Sequence, residues 1–187
     1  MRLRHTVIAL ALLLPGLAAA HAFKLGERVP AVGVNDKGEL FYQQDEDKFS
    51  YKSWNSAQLS GKVRVILHIA GRSSAKEQNA ALIEAIKAAH LPHDRYQTTT
   101  IVNTDDAIPG TGMFVRSSLE SNKQQFPWSQ FIVDSNGSAR QAWQLEKGGS
   151  AIVVLDNTAH VRYVKDGPLT QDEVQQAMKL IHELLQK

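Results

Sequence analysis

Residues Val63 to Ala70, VRVILHIA, constrain the fold of this chain more than any other stretch. Val63, Val65, Leu67 and Ile69 alternate with Arg64, Ile66, His68 and Ala70, and the second set is itself half apolar. That pattern predicts a central strand covered on both faces. Ala75 to Ala89 follows, with Leu82, Ile83 and Ile86 at helical spacing among good helix formers, until His90-Leu91-Pro92 ends it. Gln97 to Val102, QTTTIV, is rich in β-branched residues and supplies the next strand. A β-α-β unit of this kind has parallel strands and a right-handed crossover, because only that hand packs the helix back onto a twisted sheet.

The rest of the chain extends this α/β pattern. Val29 to Val34 and Glu39 to Tyr42 flank Asn35-Asp36-Lys37-Gly38 and predict an N-terminal β-hairpin, with the charged run Gln43 to Lys48 as a surface loop. Gly112 to Phe126 reads as a second helix. Phe131 to Val133 and Ala139 to Trp143 bracket Asp134-Ser135-Asn136-Gly137, a turn signal that predicts another hairpin. Ala151 to Leu155 and Val161 to Val164 pair around Asp156-Asn157-Thr158. Thr170 and Glu173 frame a capping box ahead of Val174, Ala177, Met178, Ile181 and Leu185, an amphipathic C-terminal helix.

The first twenty residues carry Arg2 and Arg4, an apolar core from Val7 to Leu14, a Pro15-Gly16 break and the spacing Ala18-x-Ala20. This is the pattern of a cleaved secretory leader, and the core is too short for a spanning helix. Cleavage after Ala20 leaves residues 21 to 187 as one domain, exported to the periplasm. It also removes two arginines and no acid, so 21 Lys+Arg become 19 against 19 Asp+Glu. A neutral domain lacks the basic stripe that phosphate backbones require, which argues against nucleic acid as a partner. With no cysteine in the whole chain, an exported protein stands on packing alone.

The run GKVRVILHIAGRSSAKEQN, Gly61 to Asn79, resembles the opening strand, turn and helix of the thioredoxin superfamily, especially its periplasmic thiol-reductase and peroxiredoxin branches. Gly26-x-x-Val29-Pro30 is similar to the entry segment of peroxiredoxin-like proteins. Over nearly the whole mature chain the resemblance is to one group, the YtfJ family of small exported bacterial proteins. It implies a single thioredoxin-like domain with an N-terminal β-hairpin and a C-terminal helix. Aligned on the superfamily pattern, Ser73, Ser74, Ala75 and Lys76 stand where C-x-x-C would be, and Ser150 stands where members place a cis-proline beside the substrate groove. Serine does not replace a thiolate at neutral pH, so disulfide exchange and peroxidase cycles are excluded.

Two readings of the turn remain. Ser74 with Glu77 fits a helix-capping box, which needs no ligand. Arg72, Ser73 and Lys76 at a helix start would instead attract an anion, and with Ser150 they form the candidate binding residues. His68 beside the turn is a candidate acid or base, though such a strand histidine is more often a core residue, and Asp105-Asp106 is a candidate cation site, though such a pair is more often a solvated turn. His90 and His93 lack a third ligand at metal spacing, and Trp54, Trp128 and Trp143 read as core or groove rim. Gly110 to Arg116, GTGMFVR, lacks the spacing of a phosphate-binding loop, and no nucleophile elbow or zinc-protease motif occurs. No catalytic residue, metal or cofactor is assigned. The chain is expected to be a non-catalytic binder of a polypeptide or envelope partner, or alternatively a small-anion binder or thiol-independent enzyme.

Overall fold

The computed structural model describes residues 21–187, so the secretory leader expected at residues 1–20 lies outside it. Seven strands form one mixed sheet in the order β2-β1-β5-β4-β3-β6-β7. β3 (Val63–Ala70) is buried at every position, as its two-faced apolar pattern requires. It pairs in parallel with β4 (Tyr96–Asn103), which pairs in parallel with β5 (Gln130–Asp134), and it pairs antiparallel with β6 (Ser150–Leu155). β7 (Val161–Asp166) completes that side. The other side is a hairpin of β1 (Gly33–Gln43) and β2 (Lys48–Asn55), with β1 set against β5.

Helices cover both faces. On one, α2 (Ala80–Ala88) and α5 (Gln171–Leu185) pack over β3 and β6 through Leu82, Val174, Ala177 and Ile181 against Val65, Leu67, Ile152 and Val154. On the same face α3 (Gly112–Gln125) packs farther along, placing Leu119 and Val115 against Leu40, Phe131 and Val133. The opposite face holds α4 (Ser138–Trp143) and the N-terminal segment, where Phe23 and Trp143 join Ile66, Ile101, Ile132 and Val153. The expected capping box of α5 is present, Thr170 and Glu173 each bonding the other's backbone amide.

Several expectations need correction. Asn35 to Gly38 does not reverse the chain. It is a bulge within β1, where the register with β2 slips between Val34 and Glu39. Gly38 takes the positive φ there, and a Cβ on it would collide with the Lys52 carbonyl oxygen. The reversal falls in the charged run, at Gln44–Glu46 and Asp47. Likewise Asp134 to Gly137 leads into α4, not a strand. The Asp134 carboxylate accepts from the amides of Ser138 at 2.9 Å and Ala139 at 2.8 Å, so it serves as a helix cap. Finally, the helix expected from Ala75 to Ala89 is two pieces, α1 (Ser73–Glu77) and α2, with the break at Gln78-Asn79.

Candidate functional site

Arg72, Ser73 and Lys76 come together at the C-terminal edge of the sheet, where β3 ends. Arg72 occupies the N-cap of α1 in an extended conformation, and no side chain caps the helix, so the Ser74–Glu77 capping box does not form. The Arg72 Nε donates to the Asp106 carbonyl, and its guanidinium lies over Gly148. Ser73 and Lys76 are exposed. Because α1 has only five residues, its aligned dipoles are few, and positive charge at this edge comes from the two side chains.

Ser150 does not join them. It is buried opposite Ile69 at the start of β6, and its hydroxyl accepts from Asn79 Nδ2 at 3.0 Å. Asn79 is itself buried, and its Oδ1 accepts from the Leu169 amide at 3.1 Å. Ser150 therefore holds the break between α1 and α2. No cis peptide occurs among the described residues.

His68 points to the other face, beneath α4, and is buried with its Nε2 unpartnered. Burial pushes its pKa down to about 4, with Asp106 pulling it up and Arg140 pressing it lower, so it is neutral at physiological pH. Asp106 is also buried. Its Oδ2 accepts from Asn103 Nδ2 at 2.9 Å and the Gly148 amide at 3.1 Å, and lies 3.4 Å from Arg140 Nε. This carboxylate thus braces the loops at the sheet edge. Among the described residues no group of three or more His, Cys, Asp or Glu side chains is placed to hold a metal.

A concave feature lies on the α2 face. α2 sits over β3, and α3 packs on β1, β5 and the Val102 end of β4, so the two helices stand apart above the middle strand. The result is a cleft of about 1070 Å³. Its floor is Thr98, Thr100 and Val102 of β4, with Leu67 and Ile69 on one side and Phe131 on the other. Ile83 and Ile86 form one wall and Val115 and Leu119 the other. Arg72, Ser73 and Lys76 lie at one end, beside Ile108 and Phe114. At the far end, Trp128 stacks on His93 with centroids 4.4 Å apart, and Lys87 reaches to 5.3 Å from the Phe126 ring. Trp54 and Trp143 are core residues, and Trp128 is the tryptophan at the cleft.

Sequence reasoning found the basic end and missed the apolar channel leading from it. One signal was available. Met113, Phe114 and Val115 are consecutive apolar residues in a helix whose only other large apolar residue is Leu119, and three neighbours 100° apart do not share one buried face. Phe114 is accordingly 76% exposed.

A central strand followed by a turn and helix at the C-terminal edge of a mixed sheet defines a thioredoxin-like protein, here without a cysteine at that turn or elsewhere. Solved structures agree on the fold. A putative protein disulfide isomerase from Bacteroides thetaiotaomicron superposes with a TM-score of 0.61 at 15% identity, covering 89% of this chain and 93% of that one. A putative thiol:disulfide interchange protein DsbE from Chlorobium tepidum gives 0.56 at 12% identity, covering 87% and 99%. The chain belongs to the YtfJ_HI0045 family, described as a bacterial protein of unknown function, whose model matches residues 23–184. It is 66% identical to the uncharacterized protein YtfJ of Escherichia coli K12, over 99% of this chain and 100% of that one. It is also 44% identical to an uncharacterized protein of Haemophilus influenzae, over 88% and 89%.

Proposed function

We propose that this chain is an exported, non-catalytic binding protein of the periplasm, a thioredoxin-like frame whose ligand or polypeptide partner occupies the cleft between α2 and α3. The observation that carries the reading is the cleft itself. An apolar channel of about 1070 Å³ opens at the turn where thiol enzymes of this fold keep their cysteines, and here that turn offers Arg72, Ser73 and Lys76. An open apolar surface of this size costs solvation free energy unless something covers it, and binding sites are where proteins tolerate such a cost. Export is supported by the basic, apolar and Ala-x-Ala pattern of residues 1 to 20.

The test places a photo-crosslinking residue at Phe114, on the cleft wall, and an identical probe at Gln175, exposed on α5, and irradiates living cells. An adduct of discrete mass at Phe114 alone, whether a polypeptide or a small molecule, is the expected result. Equal labelling at both positions, or none at either in folded and exported protein, sinks the reading.

A further inference from the structure

We infer that the cleft takes a single-chain anionic amphiphile, its aliphatic chain lying along β4 and its head group at Arg72 and Lys76. The inference rests on the reading of the cleft as the binding site and assigns the chemistry of its occupant.

The floor argues for a chain without hydrogen-bonding groups. β4 is an interior strand, paired with β3 from Tyr96 to Asn103 and with β5 from Thr99 to Asn103. From Thr99 to Asn103 its backbone is spent on both neighbours, so an extended peptide laid over that stretch would find no ladder to join and would bury unpaired amides, which is costly. An aliphatic chain carries no such groups, and every methylene removed from water favours binding. Of the floor's hydroxyls, Tyr96 and Thr98 bond each other at 3.0 Å, which leaves Thr100 as one polar group in an otherwise apolar floor. From Tyr96 to Val102 the strand advances six residues, so the channel runs roughly 20 Å.

Charge distinguishes the two ends. Of the charged side chains lining the cleft, Lys87 and Glu84 neutralise each other at 2.8 Å. Arg72 and Lys76 remain, both at the end where β3 meets α1, and neither forms an ion pair among the described residues. The far end is aromatic, formed by His93, Phe126 and Trp128. An occupant that is anionic at one end and apolar along its length complements this arrangement.

Trp128 is 48% exposed, whereas Trp54 and Trp143 are fully buried, so its emission reports on the channel. The purified protein, stripped of bound lipid, is titrated with palmitate, hexadecyl phosphate and hexadecanol below their aggregation thresholds, with inorganic phosphate as a headgroup-only control. Saturable changes in Trp128 emission with palmitate or hexadecyl phosphate are expected, and the stronger of the two identifies the head as carboxylate or phosphate. Hexadecanol should bind about tenfold more weakly, the loss expected for one charge-assisted contact. Lys76→Glu should weaken the anionic ligands about tenfold and leave hexadecanol unchanged. Ser118→Phe, which fills the channel from an exposed position on α3 without adding a further tryptophan, should abolish binding of all three while the circular dichroism spectrum stays the same. Equal affinity for hexadecanol and palmitate, with no effect of Lys76→Glu, overturns the head-group assignment. No response to any amphiphile by folded protein overturns the inference. If a Phe114 adduct still forms in cells, the binding-protein reading survives that failure, with an amphipathic peptide helix as the occupant.

Discussion

Asn79 donates through Nδ2 to the Ser150 hydroxyl at 3.0 Å, joining the break between α1 and α2 to the first residue of β6. The same amide group reaches the Gly167 carbonyl at 3.5 Å and receives the Leu169 amide at 3.1 Å, so one buried side chain fastens three separate segments. Asn79→Ala leaves the Leu169 amide and the Ser150 hydroxyl without these partners, and should cost about 2–3 kcal/mol by urea denaturation. Ser150→Ala should cost about 1 kcal/mol, and the double variant less than the sum, since both single changes remove one shared bond. Strict additivity would show that the contact contributes nothing.

Asp134 is the comparable fixture on the opposite face. It is buried, and both carboxylate oxygens receive amides at the start of α4. Asp134→Ala should destabilise the protein by about 1–2 kcal/mol, the range for a lost helix cap. Trp143 at the end of α4 should report it as weakened near-ultraviolet dichroism. Asp134→Asn retains one acceptor oxygen and should lose less.

Acidification should destabilise the protein in two stages. His68 has a folded pKa of about 4, held down by burial, against about 6.5 in the unfolded chain. Between these values the unfolded chain binds the proton and the folded one does not, so stability falls as pH drops from about 6.5 to about 4, by up to about 3 kcal/mol. His68→Leu should flatten this limb in denaturation measured at successive pH values.

Below about pH 4 the second stage begins with Asp156. Burial alone would raise its pKa, but bonds from the His160 and Thr158 amides, the Thr158 hydroxyl and Arg162 outweigh it and hold the carboxyl at about 2. Its contribution is complete above about pH 4 and is lost as pH falls toward 2. Because Arg162 is half exposed, solvent screening reduces it to about 1–2 kcal/mol. Asp156→Asn should remove this limb and leave the His68 limb intact.

What the sequence disclosed depended on whether a signal was local. The β3 segment Val63–Ala70 was legible to the residue because both of its faces are apolar, and the Thr170–Glu173 box because it is complete within four residues. Asn35–Gly38 and Asp134–Gly137 misled because a demand for positive φ does not say how it will be met. A bulge satisfies the first, and a helix start satisfies the second, with Gly137 at φ +65°. Arg72 and Lys76 were found from their place after β3. The cleft was invisible because it is set by where α3 packs, on Leu40, Val102, Phe131 and Val133 from three different strands, and no local signal reports such contacts.

The far end of the cleft depends on Lys123, a lysine buried near the end of α3. Its ammonium donates to the carbonyls of Pro127 at 2.9 Å and Ser129 at 2.8 Å, the residues on either side of Trp128. Burial lowers its pKa, with Glu39 acting in the opposite direction. Lys123→Met keeps the apolar stem and removes the donors, leaving two part-buried carbonyls unpaired. We expect a loss of about 2 kcal/mol in chemical denaturation and a freer Trp128. The second effect is read separately, as a red shift and faster acrylamide quenching, because Trp54 and Trp143 are shielded in the core. Lys123→Arg, which keeps a cation but changes its reach, should recover part of the stability and less of the quenching protection. If Lys123→Met lowers stability without altering the quenching of Trp128, the lysine supports α3 alone and the aromatic end of the cleft is held by the Trp128–His93 stack.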